Sequence, residues 1–293
     1  MTKSVDWSDH VSVGEFIVRN ALLEDAVQND ITTDVLEPDK NDLQTCMVVP
    51  REGLIVAGWF LVNQVFDSIA LMFRCRPIEY VQYIKDGSSA SSGESLGHLR
   101  GSAGVLLRGE RVALNLLSHL SGIATLTSKY VLAVQGTGVE ILDTRKTTPC
   151  LRALEKYAVK VGGGVNHRFD LSELAMIKDN HIAVAGGAGN LHTIIMKLRK
   201  KSLPVEIEVD SLNQLKYVLL ERPERILLDN MTPGILRDAV SIASGSGCYL
   251  EASGGITLKN IREIAETGVD GISSGTLTHS AKSADIGFDW KSK

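Results

Sequence analysis

The sequence has 293 residues, of which 44% are hydrophobic and 23% are charged, and its formal net charge is −4. This length allows two domains, or one barrel with an addition, and the composition is that of a globular protein. The mild acidity argues against a nucleic-acid binder, which needs a broad basic face, and no apolar run is long enough to predict a membrane span.

The four cysteines predict neither a zinc site nor a disulfide framework, because they lie far apart and form no CxxC pair. They are Cys46, Cys75, Cys150 and Cys248. We expect reduced thiols in a cytoplasmic protein. The first ten residues, MTKSVDWSDH, lack the apolar run of a signal peptide.

The first third of the chain predicts a sheet with helices on one side, an α+β arrangement. Helical spacing of apolar residues is found over 12–28 and 59–73. Strands are predicted over 45–50, 53–58, 78–84 and most of 95–107, and the Gly/Ser-rich segment 86–94 predicts a loop.

A helix pair is predicted from Arg108 to about residue 134, with a break at Gly122, and a regular alternation of strands and helices follows. The strands are predicted over 139–143, 174–178, 205–209, 225–229, 248–252 and 270–273. The helices are predicted over 149–160, 191–201, 211–221, 233–243 and 257–267. Such βα units form either an open parallel sheet or a closed barrel.

Polar residues lie at or just after the C-terminal end of nearly every one of these predicted strands, which favours a barrel-like domain. In an open sheet only one or two strand ends reach the ligand crevice, whereas in a barrel all strand ends face one mouth. These residues are Arg145, Lys146, Lys178, Glu208, Asp229, Ser253 and Ser274.

A cluster of cations, gathered where apolar strands end, predicts a pocket for a small molecule with several negative charges. Arg145 and Lys146 lie in DTRKTT, His167 and Arg168 follow the glycines of GGGVNHR, and Lys178 begins KDNHI. Thr147 or Thr148 could simply cap a helix, and His181 is expected to support the site without binding a metal.

Acidic and small residues complete the predicted mouth. Glu208 and Asp229 could accept hydrogen bonds from sugar hydroxyls or hold a hydrated Mg²⁺, or they could pair with nearby lysines. The turns Ser253-Gly254-Gly255 and Ser274-Gly275 could direct backbone N–H groups at a phosphate. No P-loop and no GxGxxG motif is present.

Taken together, these motifs resemble those of the quinolinate phosphoribosyltransferase family, over nearly the whole chain. The similar segments are EDAVQNDITT (24–33), ERVALNLLSHLSGIAT (110–125), DTRKTTPCLRALEKYAVKVGGGVNHR (143–168), KDNHI (178–182), EIEVD (206–210), LLDN (227–230), EASGGI (251–256) and SSGTLTHSAKSADIGFD (273–289). The chain departs from the usual pattern at Asn29 and Cys150, where glycine or another small residue is usual, and slightly at Ser274-Gly275-Thr276.

The resemblance implies a pentosyl transfer in NAD synthesis, from phosphoribosyl pyrophosphate to quinolinate with Mg²⁺, giving nicotinate mononucleotide, pyrophosphate and CO₂. It implies an α/β class fold, with an N-terminal α/β sandwich over 1–115, an open, incomplete α/β barrel over 116–278, and a tail over 279–293 that packs back on the first domain. It also implies a homodimer or dimer-based oligomer with a shared active site.

The resemblance further assigns roles to the candidate residues. Quinolinate would be bound by Arg145, His167, Arg168 and Lys178, with Arg111 contributed by the neighbouring subunit. Catalytic roles would fall to Lys146, Lys178, Glu208 and Asp229, the two carboxylates also holding the metal, directly or through water. The 5′-phosphate would be held by Ser253, Gly254, Gly255, Ser274 and Gly275.

Three other functions stay open at this point. They are a phosphoribosyltransferase of the same fold acting on nicotinate or linked to molybdenum transport, a barrel isomerase or lyase acting on a sugar phosphate, and a non-catalytic anion-binding protein. The number of cations favours an acceptor with two carboxylates, since a single phosphate or a single carboxylate needs fewer.

Overall fold

The computed structural model describes residues 5–36 and 43–290. In chain order its first elements are α1 (His10–Glu24), α2 (Ile31–Leu36), β1 (Leu43–Pro50), β2 (Leu54–Ile55), α3 (Trp59–Met72), β3 (Glu79–Gln82), β4 (Ser89–Ala90), β5 (Gly97–Ser102) and α4 (Ala103–Ala133). The remaining elements are β6 (Glu140–Leu142), α5 (Arg152–Val161), β7 (Ala175–Ile177), α6 (Asp179–Val184), α7 (Leu191–Arg199), β8 (Val205–Val209), α8 (Leu212–Leu219), β9 (Arg225–Asp229), α9 (Pro233–Ala243), β10 (Tyr249–Ser253), α10 (Ile261–Ala265), β11 (Gly271–Ser273), α11 (Thr276–His279) and β12 (Ile286–Trp290).

The chain divides into two compact units that interleave along the sequence. The first unit comprises residues 1–128, 147–163 and 278–293, and the second comprises 129–146 and 164–277. The predicted domain boundaries after residues 115 and 278 assume continuous segments, whereas helix α5 groups with the first unit. Helix α5 groups with the first unit partly because it packs on α1, where the rings of Tyr157 and His10 stack with their centroids 4.5 Å apart.

The first unit contains a four-stranded antiparallel sheet in the order β12-β1-β5-β3. The central strand β1 pairs with β5 on one side and with β12 on the other, so the last strand of the chain lies in this sheet. Cys46 and Val48, which alternate along β1, are fully buried, as is Phe66 of α3. An apolar sheet face covered by an apolar helix stripe is the arrangement that the spacing of these residues predicts.

Two local predictions in this unit are wrong. The predicted strand over 95–107 ends at Ser102, where α4 begins. The predicted break at Gly122 is also absent, because α4 continues through it. A Cβ at this position would lie 2.2 Å from the carbonyl oxygen of Lys282, so the glycine permits close packing rather than a turn.

The second unit contains a six-stranded parallel sheet in the order β6-β11-β10-β9-β8-β7. Helices α8, α9 and α10 connect successive strands from β8 to β11, and the α/β alternation predicted from the sequence is confirmed. Ser211 and Thr232 cap α8 and α9 through their side chains. Within the described part of the chain the edge strands β6 and β7 do not pair with each other, so the barrel is open.

The long helix α4 prompts the question of a membrane span. No helix among residues 5–36 and 43–290 combines the length and the apolar character needed to cross a bilayer.

Cys150 adopts a backbone conformation that favours glycine. Its φ is +66°, and its side chain is exposed with a free thiol. A left-handed residue with a Cβ is strained, whereas glycine costs only chain entropy there. We therefore expect Cys150→Gly to raise the free energy of unfolding by about 0.5–1 kcal/mol, measured by denaturant titration. Cys150→Ala, which removes the thiol and keeps the Cβ, should leave it unchanged, and equal effects of both variants would contradict this explanation.

Candidate active site

The carboxyl ends of all six strands of the second unit reach one cavity of about 590 Å³. Its lining residues are Thr144, Arg145, Lys146, His167, Arg168, Met176, Lys178, Glu208, Leu227, Asp229, Asn230, Glu251, Ser253, Gly254, Gly255 and Ser273. Because both edge strands contribute to the same cavity, the sheet curves around it as a barrel does.

Ten of the thirteen residues predicted from the sequence line this cavity, and three do not. Arg111 is exposed on α4 in the first unit. Ser274 is buried, and its N–H donates to the carbonyl oxygen of Leu142 at 3.1 Å, so Ser273 lines the cavity in its place. Gly275 is the third residue outside the lining.

Sequence reasoning missed six lining residues, and strand periodicity could have found three of them. Side chains two positions apart on a strand share a face. Met176, Leu227 and Glu251 each lie two residues before a predicted strand-end residue, namely Lys178, Asp229 and Ser253. The other three are Thr144, Asn230 and Ser273, which turn chemistry alone does not distinguish from ordinary loop residues.

Two guanidinium groups face the same part of the cavity. The Nη1 atom of Arg168 donates to the carbonyl oxygen of Leu174 at 2.9 Å, and Nη2 approaches the sulfur of Met176 at 3.4 Å. Burial and then repulsion from Arg145 lower the pKa of Arg168, while Glu206 and Asp170 oppose this shift. Two like charges held together in this way favour a bound anion between them.

Lys178 and Glu208 form an ion pair in the mouth, with Nζ and Oε2 2.6 Å apart. Both are partly exposed, at 40% and 21% of the side chain. Lys178 precedes α6, and its N–H donates to Nδ1 of His181 at 3.1 Å, which gives that histidine the supporting position expected from the sequence. The pair therefore places one cation and one anion at the mouth of the cavity.

A buried charge cluster lies beneath the cavity and consists of His167, Glu206, Arg225 and Glu251. Nε2 of His167 lies 3.0 Å from Glu206 and 3.3 Å from Glu251, and Arg225 reaches Glu251 at 2.6 Å. Burial raises the pKa of Glu251, but His167, Ser273 and Arg225 together lower it. Although His167, Glu206 and Glu251 are close enough to bind a metal, Arg225 already pairs with Glu251, and its guanidinium would repel a dication beside it.

His167 is held through both of its ring nitrogens. Burial alone would lower its pKa, but the hydrogen bonds to Glu206 and Glu251 raise it to about 9. Its Nδ1 accepts the N–H of Arg168 at 2.7 Å, a bond that fits a ring protonated only on Nε2. This contact favours the neutral ring and so opposes the effect of the two carboxylates on the pKa of His167. His167 thus connects the lining of the cavity to the two buried carboxylates.

The opposite side of the cavity is formed by a glycine turn after β10. Gly254 and Gly255 have φ values of +93° and +61°, and Ser273 donates to Ser253 through the two hydroxyl oxygens at 3.1 Å. A turn of this kind exposes backbone N–H groups, which bind phosphate oxygens. The helix that follows, α10, is only five residues long, shorter than predicted, so backbone N–H groups of the turn rather than a helix dipole would face an anion here.

Comparison with known proteins gives the class of enzyme. The model of the quinolinate phosphoribosyl transferase N-terminal domain matches residues 30–121, and that of the C-terminal domain matches residues 123–289. The chain belongs to the quinolinate phosphoribosyl transferase family, whose members are enzymes of pentosyl transfer.

Individual relatives carry more specific names. The chain is 43% identical to nicotinate-nucleotide pyrophosphorylase [carboxylating] of Mycobacterium leprae, over 93% of this chain and 95% of that protein. It is 37% identical to the probable enzyme of the same name from Bacillus subtilis, over 93% and 92%. The solved structure of the nicotinate-nucleotide pyrophosphorylase of Francisella tularensis aligns with a TM-score of 0.87 and 33% identity, over 96% and 97% of the two chains. A human nicotinic acid phosphoribosyltransferase, at 12% identity and a TM-score of 0.59, shares the fold alone.

Proposed function

We propose that the chain transfers the phosphoribosyl group of phosphoribosyl pyrophosphate to quinolinate and releases pyrophosphate and CO₂, leaving nicotinate mononucleotide. One observation carries this proposal beside the family relationship. Arg145, Arg168, Lys178, Glu208 and Asp229 share one cavity, which suits a dianionic acceptor next to an activated sugar phosphate.

The acceptor would lie against the cationic side of the cavity. Quinolinate carries two adjacent carboxylates on a pyridine ring, and Arg145, Arg168 and Lys178 supply donors for both. His167 lines the same cavity. We propose that Arg111 reaches the acceptor from a second subunit, because it is an exposed cation on α4 and does not line the cavity of its own chain.

The ribose phosphate would lie between the two acids and the glycine turn. Ser253, Gly254 and Gly255 are placed to hold the 5′-phosphate, and Lys146 to hold the pyrophosphate. Glu208 and Asp229 fit a hydrated Mg²⁺, since Mg²⁺ prefers one or two carboxylates together with waters and substrate phosphates. When bound, the metal would neutralise charge on the leaving pyrophosphate.

The reaction requires positioning and electrostatics rather than a protein nucleophile. The ring nitrogen of quinolinate forms a bond to C1 of the ribose as the C1–O bond to pyrophosphate breaks. Glu208 and Asp229 stabilise the positive charge that develops on the ribose in this step. The resulting pyridinium accepts the electron pair released when the adjacent carboxylate leaves as CO₂, and a proton then replaces that group at carbon 2.

We further propose a cytoplasmic homodimer, or a dimer-based oligomer. The four cysteines are free thiols, in keeping with a reducing compartment, and the proposed role of Arg111 needs a second subunit.

The test uses quinolinate labelled at its 2-carboxylate, together with phosphoribosyl pyrophosphate and Mg²⁺. We expect labelled CO₂, pyrophosphate and nicotinate mononucleotide in equal amounts, and none of them after a chelator removes the metal. Nicotinate in place of quinolinate should not react, because it offers the arginines one carboxylate. Turnover of nicotinate, or no CO₂ from quinolinate, would overturn the proposal.

A further inference from the structure

Asn230 has an unusual backbone conformation at the mouth of the cavity. It follows directly after β9, it is exposed, and its φ is +54°. A left-handed conformation is costly for a residue with a Cβ, and asparagine tolerates it better than most. Such strain at the edge of a ligand cavity indicates that this side chain is needed in this place.

The side chain and backbone of Asn230 tie two strand ends together. Its Nδ2 donates to Oδ2 of Asp229 at 2.8 Å, and its backbone N–H donates to the carbonyl oxygen of Ser253 at 2.9 Å. Within the described residues, Asn230 is the one hydrogen-bond donor to the carboxylate of Asp229. Glu208, by contrast, is held by Lys178.

Asn230 also lies close to the glycine turn after β10. A Cβ built on Gly254 would lie 2.2 Å from Oδ1 of Asn230, and the φ of Gly254 is +93°. The amide of Asn230 therefore fills the space that a side chain at position 254 would need. The shape of the turn and the orientation of the neighbouring carboxylate both depend on the same amide group.

From these contacts we propose that Asn230 is a positioning residue, which directs the carboxylate of Asp229 into the cavity and sets the Ser253-Gly254 turn for the ribose phosphate substrate. This inference rests on the proposed function, because it assigns Asp229 and the turn to that substrate. Asn230 acts through these two neighbours and not on the reacting atoms.

The decisive variant is Asn230→Gly, which removes the amide, keeps the backbone N–H bond to Ser253 and accepts the positive φ without strain. Loss of a hydrogen bond to a charged group should lower kcat/KM for phosphoribosyl pyrophosphate by about tenfold. The KM for quinolinate should stay unchanged, since Arg145, Arg168 and Lys178 are untouched. The melting temperature should stay equal to that of the wild type or rise, because the strain is relieved.

The matched control is Ser202→Gly, a second exposed residue of positive φ (+56°) that does not line the cavity. Like Asn230→Gly, it should leave the melting temperature equal to that of the wild type or raise it. It should not change kcat/KM for phosphoribosyl pyrophosphate or the KM for quinolinate. Asn230→Asp keeps the size of the side chain but places a like charge beside Asp229, and it should be more damaging than Asn230→Gly.

A binding measurement separates this inference from the proposed function. Calorimetric titration with phosphoribosyl pyrophosphate and Mg²⁺, without quinolinate, should show about tenfold weaker binding to Asn230→Gly than to the wild type. An inactive wild type that still shows this difference would overturn the reaction and support the positioning role. Equal binding and equal kcat/KM for the two proteins, or a lower kcat/KM that only follows a lower melting temperature, would overturn the positioning role.

Discussion

Replacing Arg168 by alanine is expected to lower kcat/KM for quinolinate by about a thousandfold or more, since truncating one partner of a desolvated charge pair costs several kcal/mol. Arg168 is partly buried, and its guanidinium is already fixed by Leu174 and Met176 before any ligand binds. A planar donor held ready for a carboxylate loses little entropy when it binds. Steady-state kinetics with each substrate varied in turn would measure the effect.

Arg168→Lys is the matched variant for this experiment. It keeps the charge and loses the fork of donors, so we expect an intermediate loss that appears mainly in the KM for quinolinate. Circular dichroism and the melting temperature report whether loss of the bond to Leu174 disturbs the fold. Unchanged quinolinate affinity in a folded Arg168→Ala protein would contradict the assignment of this cavity to the acceptor.

Mixing two inactive variants, Arg111→Ala and Lys178→Ala, is expected to restore activity. Lys178 lines the cavity of its own chain, whereas Arg111 lies exposed on α4 outside that lining. In a heterodimer with one substitution per subunit, one site receives both altered residues and the other receives neither. Random exchange of subunits would then return about a quarter of the wild-type activity, as two-fold symmetry requires.

Each variant alone, carried through the same exchange of subunits, is the control for this mixture. Analytical ultracentrifugation should find the wild type and both variants as dimers or larger assemblies. Mixed dimers that form and remain inactive would show that Arg111 does not serve a neighbouring site. A monomeric wild type with full activity would also show that Arg111 does not serve a neighbouring site.

The βα alternation could be predicted from the sequence because it depends on local patterns. Short apolar runs that end in a polar residue locate Glu208 and Asp229 without any tertiary information. Gly122 was misinterpreted as a break because its reason lies more than a hundred residues away, at the carbonyl of Lys282. A glycine that permits close packing and a glycine that ends a helix look alike in a single sequence.

The buried charge cluster could not be predicted from the sequence either, because it also depends on residues that are distant along the chain. Glu206 and Glu251 lie in strands among apolar residues. Only their distances to His167 and Arg225 show that these side chains form a cluster. The end of β11 at Ser273 agrees with the predicted strand, but the sequence does not show that Ser273 faces the cavity while Ser274 is buried and bonded to Leu142. The sequence does not single out Asn230, since its φ cannot be derived from composition.

The interior of this barrel holds two acids and two bases where most barrels hold branched aliphatic side chains. Substitutions in such a cluster must be made in pairs. A carboxylate and its cationic neighbour can be replaced together by well-packed neutral residues, whereas replacing either one alone leaves an unpaired buried charge. Divergence toward a new acceptor is therefore easier at the rim, one residue at a time, than in the layer below it. A library intended to alter the substrate of this enzyme should vary Arg145, Met176 and Leu227 freely. It should treat the four residues of the buried charge cluster as a single unit.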